Sequence, residues 1–591
     1  MPASPTSIEE LRRQIAAVME KEHIPGVAFA LIGRDGPIYA GGVGVRDRDQ
    51  RLPTDGTTAF RVGSLSKSIV ALAVMRLVDQ GKLELDRPLR ELLPGAVENR
   101  WEATHPVTLA QCLEHTAGLD DVRFNEVFTD DEQLPVADTL AINPRSRIVR
   151  FPPGTRHAYS NVGYTLAARA IEVVTGERFD DYIRREIFTP LGITDAAFQR
   201  TPLLRERLAT GYQDGRATEF FPFAHRPSGS LLASATDLAK VVHFLMVRGE
   251  GYPPIVSRAA IARIERSGTL PYAPLDGDYG FANYGDVWHP ARSRGHDGGM
   301  PGFHASFRYF PELGVGYTFL LNSNYTFQGY RDIRKLLFAY LTRGQTFPPP
   351  PKSAPHDQRP GADYFGFAAP RNAVFGFVEL ATTGWSTIED GDTVELVQLD
   401  GSYARLIPTA DGAYRFPYEY GSTIRFTERD DGTPIMVAGF SYAEAGSSTY
   451  ARLRYFALGF ALVLLQLAPL WTAGVLAYGV YRRAHVLPMS LVLAPAIAGL
   501  ANNAISVVLF ESFERGVIGK VHPLTIAFCA LTIVFAAAST VTLLSSIRWA
   551  LRPDRARLRW RLFPLVCGAA AYGLTLWLAF NGMIGLRTWA W

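Results

Sequence analysis

Ser64 and Lys67 put a hydroxyl and an amine three residues apart, where the strand-like run 57–63 gives way to the apolar, helix-like run 66–80. Residues at that spacing share a helix face, so Lys67 can reach the Ser64 oxygen and act on its proton. The position also puts Ser64 at a helix N-terminus, where unpaired backbone N–H groups and the helix dipole favour developing negative charge. A Ser-x-x-Lys spacing arises by chance about once or twice in a chain this long. Here it occurs a single time, in a lysine-poor chain, directly after Gly63.

Two further segments carry chemistry-bearing residues. Tyr159-Ser160-Asn161 follows the turn-rich run Phe151-Pro152-Pro153-Gly154-Thr155 and precedes a helix-like segment. Beside a lysine ammonium a phenol is expected to ionise more easily, which suits Tyr159 to shuttle protons. Asn161 is suited to bind a substrate amide carbonyl. In Gly295-His296-Asp297-Gly298-Gly299-Met300-Pro301-Gly302-Phe303, the small residues would let a substrate backbone approach a strand edge. The N–H of Gly299 could then join that of Ser64 as an oxyanion hole, with His296 facing the cleft as a cation or hydrogen-bond donor. Taken singly, the second segment reads as a loop tyrosine with an asparagine cap, and the third as a glycine-rich turn with a surface histidine.

Together, Ser64-x-x-Lys67, Tyr159-x-Asn161 and His296-x-Gly298, in that order and at wide spacing, resemble the serine β-lactamase and penicillin-binding protein superfamily. The likeness is to its class C-like branch, with the related D-peptidases and esterases of peptidase family S12. Pro25-Gly26-Val27-Ala28, the stretch 108–119 and the stretch 228–238 share it, so it covers about residues 7 to 345. The resemblance implies an α/β (α+β) transpeptidase-like domain whose central antiparallel sheet is flanked by helices. It implies that Ser64 is acylated, Lys67 is its proton partner, Tyr159 is general base and acid, and Asn161, His296, Gly298 and Gly299 bind substrate. Which group is the base is disputed even within such enzymes. His115 reads as structural. This chain carries His296-Asp297-Gly298 where class C β-lactamases usually carry Lys-Thr-Gly, which points away from efficient β-lactam hydrolysis. Histidine has a weaker, pH-dependent charge near neutrality, and Asp297 would weaken attraction for a substrate carboxylate further if it faces the cleft.

The elements that must position these residues fall into a larger organisation. A chain of 591 residues exceeds one domain, and its net charge of +3 gives no support for nucleic-acid binding. Cys112, Cys529 and Cys567 are too few for a disulfide framework and lack metal-ligand spacing. No metal or organic cofactor is implied. We read residues 1–345 as the hydrolase domain and 346–360 as a proline-rich linker. Residues 361–450 read as a small all-β domain with hairpin turns at Asp400-Gly401, Asp411-Gly412 and Asp431-Gly432, and with a structural or substrate-shaping role.

Residues 451–591 are expected to hold four transmembrane helices near 455–481, 486–510, 522–547 and 562–586, each able to cross roughly 30 Å of hydrocarbon. Arginines 482 and 483 in the first connection, and 548, 552, 555, 557, 559 and 561 in the third, put those connections in the cytoplasm and the catalytic domain outside. Such export calls for an N-terminal signal. Met1-Pro2-Ala3-Ser4-Pro5 is followed by a polar amphipathic segment instead, so either a signal segment precedes the given start, which we expect, or the soluble part is cytoplasmic.

The sequence thus points to a membrane-anchored serine hydrolase acting on peptides or amides of D-amino-acid character. A carboxylesterase, a weak β-lactamase, or a sensor that is acylated without turnover remain open alternatives. Its expected partners are a small-molecule or peptide substrate and the lipid bilayer; the oligomeric state stays open.

Overall fold

The computed structural model describes residues 4–272, 274–324, 326–373, 376–483, 487–551 and 558–591. Residues 1–3 at the start, and arginines 552, 555 and 557 of the third connection, lie outside the described residues. The chain divides into two units. One comprises residues 1–122, 129–373 and 385–446, and the other residues 123–128, 374–384 and 447–591.

A seven-stranded sheet organises the first unit. Its strands are β1 (Gly26–Gly33), β2 (Gly36–Asp47), β3 (Leu52–Pro53), β4 (Tyr284–Asp286), β5 (Ser293–Met300), β6 (Phe303–Phe310) and β7 (Val315–Leu321), in the order β3-β2-β1-β7-β6-β5-β4. Every pairing is antiparallel. The helices that matter to the site are α1 (Ile8–Lys21), α2 (Ser66–Asp79), α3 (Asn161–Thr175), α4 (Ala235–Met246) and α5 (Phe327–Leu341). One sheet face packs on α1 and α5 through Leu11, Ile15, Phe29, Phe319, Ile333 and Leu337. The other packs through Ala28, Ala30 and Phe307 on Ile69 and Leu72 of α2 and Val242 of α4. Covered on both faces, β1 is a continuous apolar run rather than an alternating one.

Helix α2 lies within the second of these cores, and every residue from Ser66 to Met75 is buried. A helix apolar on all sides belongs in an interior, and this one carries Lys67 in with it. Ahead of it, Phe60–Arg61 pairs with Leu232–Ala233, and the 3₁₀ turn Gly63–Leu65 leads into the helix.

The all-β region closes into an eight-stranded barrel: β8 (Tyr364–Phe367), β9 (Gly384–Asp390), β10 (Thr393–Gln398), β11 (Tyr403–Pro408), β12 (Tyr414–Arg415), β13 (Ile424–Glu428), β14 (Pro434–Ala438) and β15 (Ser441–Ala445). The three Asp-Gly turns join successive strands, with Gly401, Gly412 and Gly432 at φ of 86°, 73° and 79°. Alternate residues such as Val394, Leu396, Phe426 and Met436 fill the interior with Phe365 and Tyr414. Closure comes from β8 pairing with β15, where Phe365 faces Ala445. That leaves no open sheet edge. Outside the barrel, Ile435, Val437 and Tyr442 pack with Phe151, Ala158 and Leu275, so its wall braces the approach to Tyr159.

Among the described residues, the second unit holds four helices each long and apolar enough to cross a membrane: α6 (Ser448–Arg482), α7 (Met489–Glu514), α8 (Pro523–Ala550) and α9 (Leu558–Phe580). Small residues set their spacing, as expected where lipid supplies no hydrophobic drive between helices. A Cβ on Gly499 would meet the Leu465 carbonyl oxygen at 2.2 Å, and one on Gly568 would meet the Leu543 nitrogen at 2.9 Å. The fourth helix stops at Phe580 rather than 586, just ahead of Gly582 at a left-handed φ of 72°.

Candidate active site

Four of the seven residues singled out in the sequence meet in one hydrogen-bonded cluster. Lys67 Nζ lies 3.1 Å from Ser64 Oγ, 2.8 Å from Asn161 Oδ1 and 2.6 Å from the Ser228 carbonyl oxygen. Tyr159 Oη donates to the same Ser64 Oγ at 2.9 Å. Ser64 and Tyr159 are half-buried, while Lys67 is buried. The turn that presents Ser64 is held by Ser66, whose Oγ donates to the Gly63 carbonyl at 2.7 Å and accepts the Leu231 N–H at 3.0 Å.

Burial holds the Lys67 amine well below its ordinary range, and the Arg371 cation lowers it further. Burial also pushes the Tyr159 phenol up to about 12, with Arg371 working in the opposite direction. The expectation that Tyr159 ionises more easily is therefore reversed. Desolvation outweighs the neighbouring charge, and the lysine that was to stabilise a phenolate is itself driven toward its neutral form.

His296 is not a cleft-facing cation. It is buried, and burial together with the Lys67 charge lowers it to about 3. Its neighbours fix a chain of neutral rings. The Ser160 N–H donates to His115 Nδ1 at 3.1 Å, leaving the His115 proton on Nε2, 3.2 Å from Tyr279 Oη. Tyr279 Oη lies 2.8 Å from His296 Nε2, and His296 Nδ1 lies 2.6 Å from the Asp297 carbonyl, an acceptor. The His115 ring sits 3.9 Å from that of Tyr159.

Asp297 points away from His296, because neighbouring strand residues face opposite sides. It pairs with Arg308 at 2.8 Å and accepts from Tyr284 and Tyr330; against the cost of burial, the Arg308 and His304 charges and hydrogen bonds from Ser306 and Tyr284 lower it to about 2. It therefore does not repel a substrate carboxylate from the cleft side.

Gly298 and Gly299 run against the nucleophile turn. A Cβ on Gly298 would fall 2.0 Å from the Val62 carbonyl oxygen and 2.9 Å from the Ser64 nitrogen. Gly63, at φ 54°, leaves room only for the Gly299 backbone, whose nitrogen would lie 2.7 Å from an added Cβ. Gly298→Ala is accordingly expected to force β5 off the turn. It should cost about 1–3 kcal/mol of stability and lower kcat/KM by about 100-fold, since a displacement near 1 Å has that effect. Thermal melts and kinetics on the purified variant check both.

Four contributors carried no legible sequence signal. Asp121 accepts the Asn161 N–H at 2.8 Å, with Asn161 Nδ2 at 3.4 Å. The Ser228 carbonyl, Tyr279 and Arg371 complete the set. Ser228 belongs to a stretch that already looked family-like, but a backbone acceptor has no side-chain signature. Among the described residues no group of His, Cys, Asp and Glu could hold a metal ion.

Comparison with known proteins agrees with this geometry. The "Penicillin-binding protein 4" of Amycolatopsis lactamdurans is 29% identical over 365 residues, covering 58% of this chain and 93% of that protein. The "Unguisins hydrolase ungD" of Aspergillus violaceofuscus is 26% identical over 349 residues, covering 54% of this chain and 61% of that protein. In fold, the solved structure of SurE with D-Leu matches 74% of this chain and all of its own length, at a TM-score of 0.50 and 22% identity. Residues 11–341 match the family profile described as Beta-lactamase, more than half of the chain, and the protein belongs to the beta-lactamase family of serine hydrolases.

Proposed function

We propose that this protein is a membrane-anchored peptidase or amidase that works through an acyl-enzyme on Ser64 and takes peptides of D-amino-acid character. The observation that carries the mechanism is the convergence of Lys67 Nζ and Tyr159 Oη on Ser64 Oγ, at 3.1 and 2.9 Å. A neutral amine has two N–H donors and one lone pair. The Asn161 and Ser228 oxygens take the two donors, which leaves the lone pair for the Ser64 hydroxyl.

Lys67 then removes the Ser64 proton as the oxygen attacks the substrate carbonyl. The N–H groups of Ser64 and Gly299 receive the oxyanion. Tyr159, protonated at rest, delivers its proton to the leaving amine and regains one from the water that attacks in deacylation, while Lys67 returns its proton to Ser64 Oγ as the acyl group leaves. Kinship with a penicillin-binding protein and a fold relative solved with D-Leu support the substrate class. The four long apolar helices support a multi-pass anchor. The arginine-rich first and third connections support an extracytoplasmic catalytic domain.

One observation favours a second reading, a carboxylesterase. His296 is neutral where a carboxylate-binding lysine would stand in class C β-lactamases, so uncharged esters lose nothing there. A panel of D-peptides, p-nitrophenyl esters and cephalosporins separates these readings. Turnover of D-peptides with poor nitrocefin hydrolysis supports the peptidase, and ester turnover alone supports the esterase. Protease access in intact spheroplasts tests the side of the membrane.

A further inference from the structure

The segment that leads from the first barrel strand enters the catalytic centre. It runs past the end of β8 through Pro370, Arg371 and Ala373, beyond the residues 11–341 matched by the family. Arg371 Nε lies 2.5 Å from Asp121 Oδ2, and its guanidinium carbon sits 4.7 Å over the Tyr159 ring. The segment is pinned on both sides of that contact. The Ala373 N–H donates to Asp120 Oδ1 at 2.8 Å, and Arg150 donates to the Pro370 and Arg371 carbonyls at 2.6 and 2.9 Å. Arg150 itself pairs with Asp120 at 3.2 Å.

Asp121 links this segment to the reacting groups. Its carboxylate is buried, holds the Asn161 backbone, and so fixes the amide oxygen that accepts from Lys67. A buried carboxylate needs a partner, or its charge is costly; Arg371 is the cation that meets it. One guanidinium thus touches both arms of the site, Tyr159 by stacking and Asn161–Lys67 through Asp121.

We propose that Arg371 is a positioning residue for catalysis, which makes the segment joined to the barrel an integral part of the active site rather than an appendage to it. This rests on the assignment of Ser64, Lys67 and Tyr159 proposed above. Arg371 orients the Tyr159 ring and, as a nearby cation, helps keep Lys67 in the neutral form that accepts the Ser64 proton.

The groups facing Tyr159 define what its loss would do. They are Ser64 and Lys67 from the nucleophile turn and α2, His115 and Asp121 from residues 115–121, Tyr279 from the loop before β4, and Arg371 itself. The Tyr164 ring, 5.6 Å from Lys67 Nζ, and the buried His296 also face the amine; His115 and His296 are held neutral by burial and the Tyr159, Tyr164 and Tyr279 phenols keep their protons, so the charges that act on Lys67 are those of Asp121 and Arg371. Removing Arg371 leaves Asp121 unopposed beside the amine, and its negative charge favours the protonated lysine.

The test is the pH dependence of the rate at which a fluorescent fluorophosphonate labels the full-length protein in detergent, a readout that needs no knowledge of the substrate. Wild type, Arg371→Ala and Arg371→Lys are compared, with Ser64→Ala as the control for labelling at Ser64 and thermal melts to monitor folding. We expect Arg371→Ala to label at least about tenfold more slowly, with the ascending limb moved up by about one pH unit. Arg371→Lys should restore the limb while leaving part of the rate defect, because a lysine keeps the charge but not the planar stacking.

An Arg371→Ala limb that stays at the wild-type pH overturns the proposal, whether or not the rate falls. So does a rate loss explained by a lowered melting temperature and unrelieved by Arg371→Lys. Absence of labelling in the wild type, or equal labelling of Ser64→Ala, would instead count against the Ser64 assignment, and this proposal would fall with it.

Discussion

Ser64→Ala is expected to lower turnover of any ester or amide the wild type hydrolyses by about 10⁴-fold or more, as loss of a nucleophile does in other serine hydrolases. The effect should be on kcat, with the melting temperature little changed. Ser64 Oγ is the point on which Lys67 and Tyr159 converge, and a methyl group there leaves two proton carriers with nothing to act on. The rest of the cluster persists without it. Lys67 keeps Asn161 and Ser228 as acceptors, and the half-buried Tyr159 hydroxyl can turn to water. Steady-state kinetics and a thermal melt on the same preparation check the pair. Turnover within about tenfold of wild type, a difference of only about 1.4 kcal/mol in barrier, would remove Ser64 from the chemistry.

Lys67→Met carries the second large effect and separates proton transfer from packing. The loss of a positioned base should cost about 10²–10⁴-fold in kcat. Stability responds to opposing terms. Asn161 Oδ1 and the Ser228 carbonyl lose their buried donor, at about 1–3 kcal/mol each, while an apolar side chain of similar length ends the cost of burying an amine. The net shift in melting temperature should therefore be modest beside the loss of rate.

The wild-type pH profile carries the matching signature. The lone pair of Lys67 is required, so activity should rise with pH through a lysine value held well below 10.5 by burial. It should then stay level, because Tyr159 keeps its proton until about 12. No inflection near the usual histidine value is expected from His296, which titrates near 3. A bell centred on a histidine pKa would contradict this division of roles.

Much of the site was legible because its chemistry depends on side chains at short spacing. Ser64 and Lys67 declare a shared helix face, and the run of buried apolar residues after them declares the helix. The glycine at 298 is legible for a steric reason, since a Cβ there would meet the Val62 carbonyl oxygen at 2.0 Å, whereas one on Gly299 would meet only His304 at 3.8 Å. The three Asp-Gly turns marked the strands of the barrel, but not its closure, which depends on Phe365 meeting Ala445 across some eighty residues of chain.

What could not be read was electrostatic or remote. Adjacency to Lys67 suggested an easily ionised Tyr159, yet burial decides the sign, and burial is a property of the folded core. His296 was expected to face the cleft because it stands in a glycine-rich run that a substrate backbone could approach. Tyr279, which occupies its Nε2, has no motif to announce it. Arg371 lies more than 200 residues beyond Tyr159 in sequence and meets it only after the segment next to the barrel folds back.

The most direct test is mass spectrometry of the protein quenched during reaction with a slowly turned-over acyl donor such as a β-lactam. Trypsin cleaves after Arg61 and Lys67, so the nucleophile falls in the peptide Val62-Gly63-Ser64-Leu65-Ser66-Lys67. We expect that peptide to gain the mass of the acyl group, fragment ions to put it on Ser64, and the adduct to be absent from Ser64→Ala. An adduct on Ser66 or on any other peptide, or one that persists in Ser64→Ala, would contradict a Ser64 acyl-enzyme.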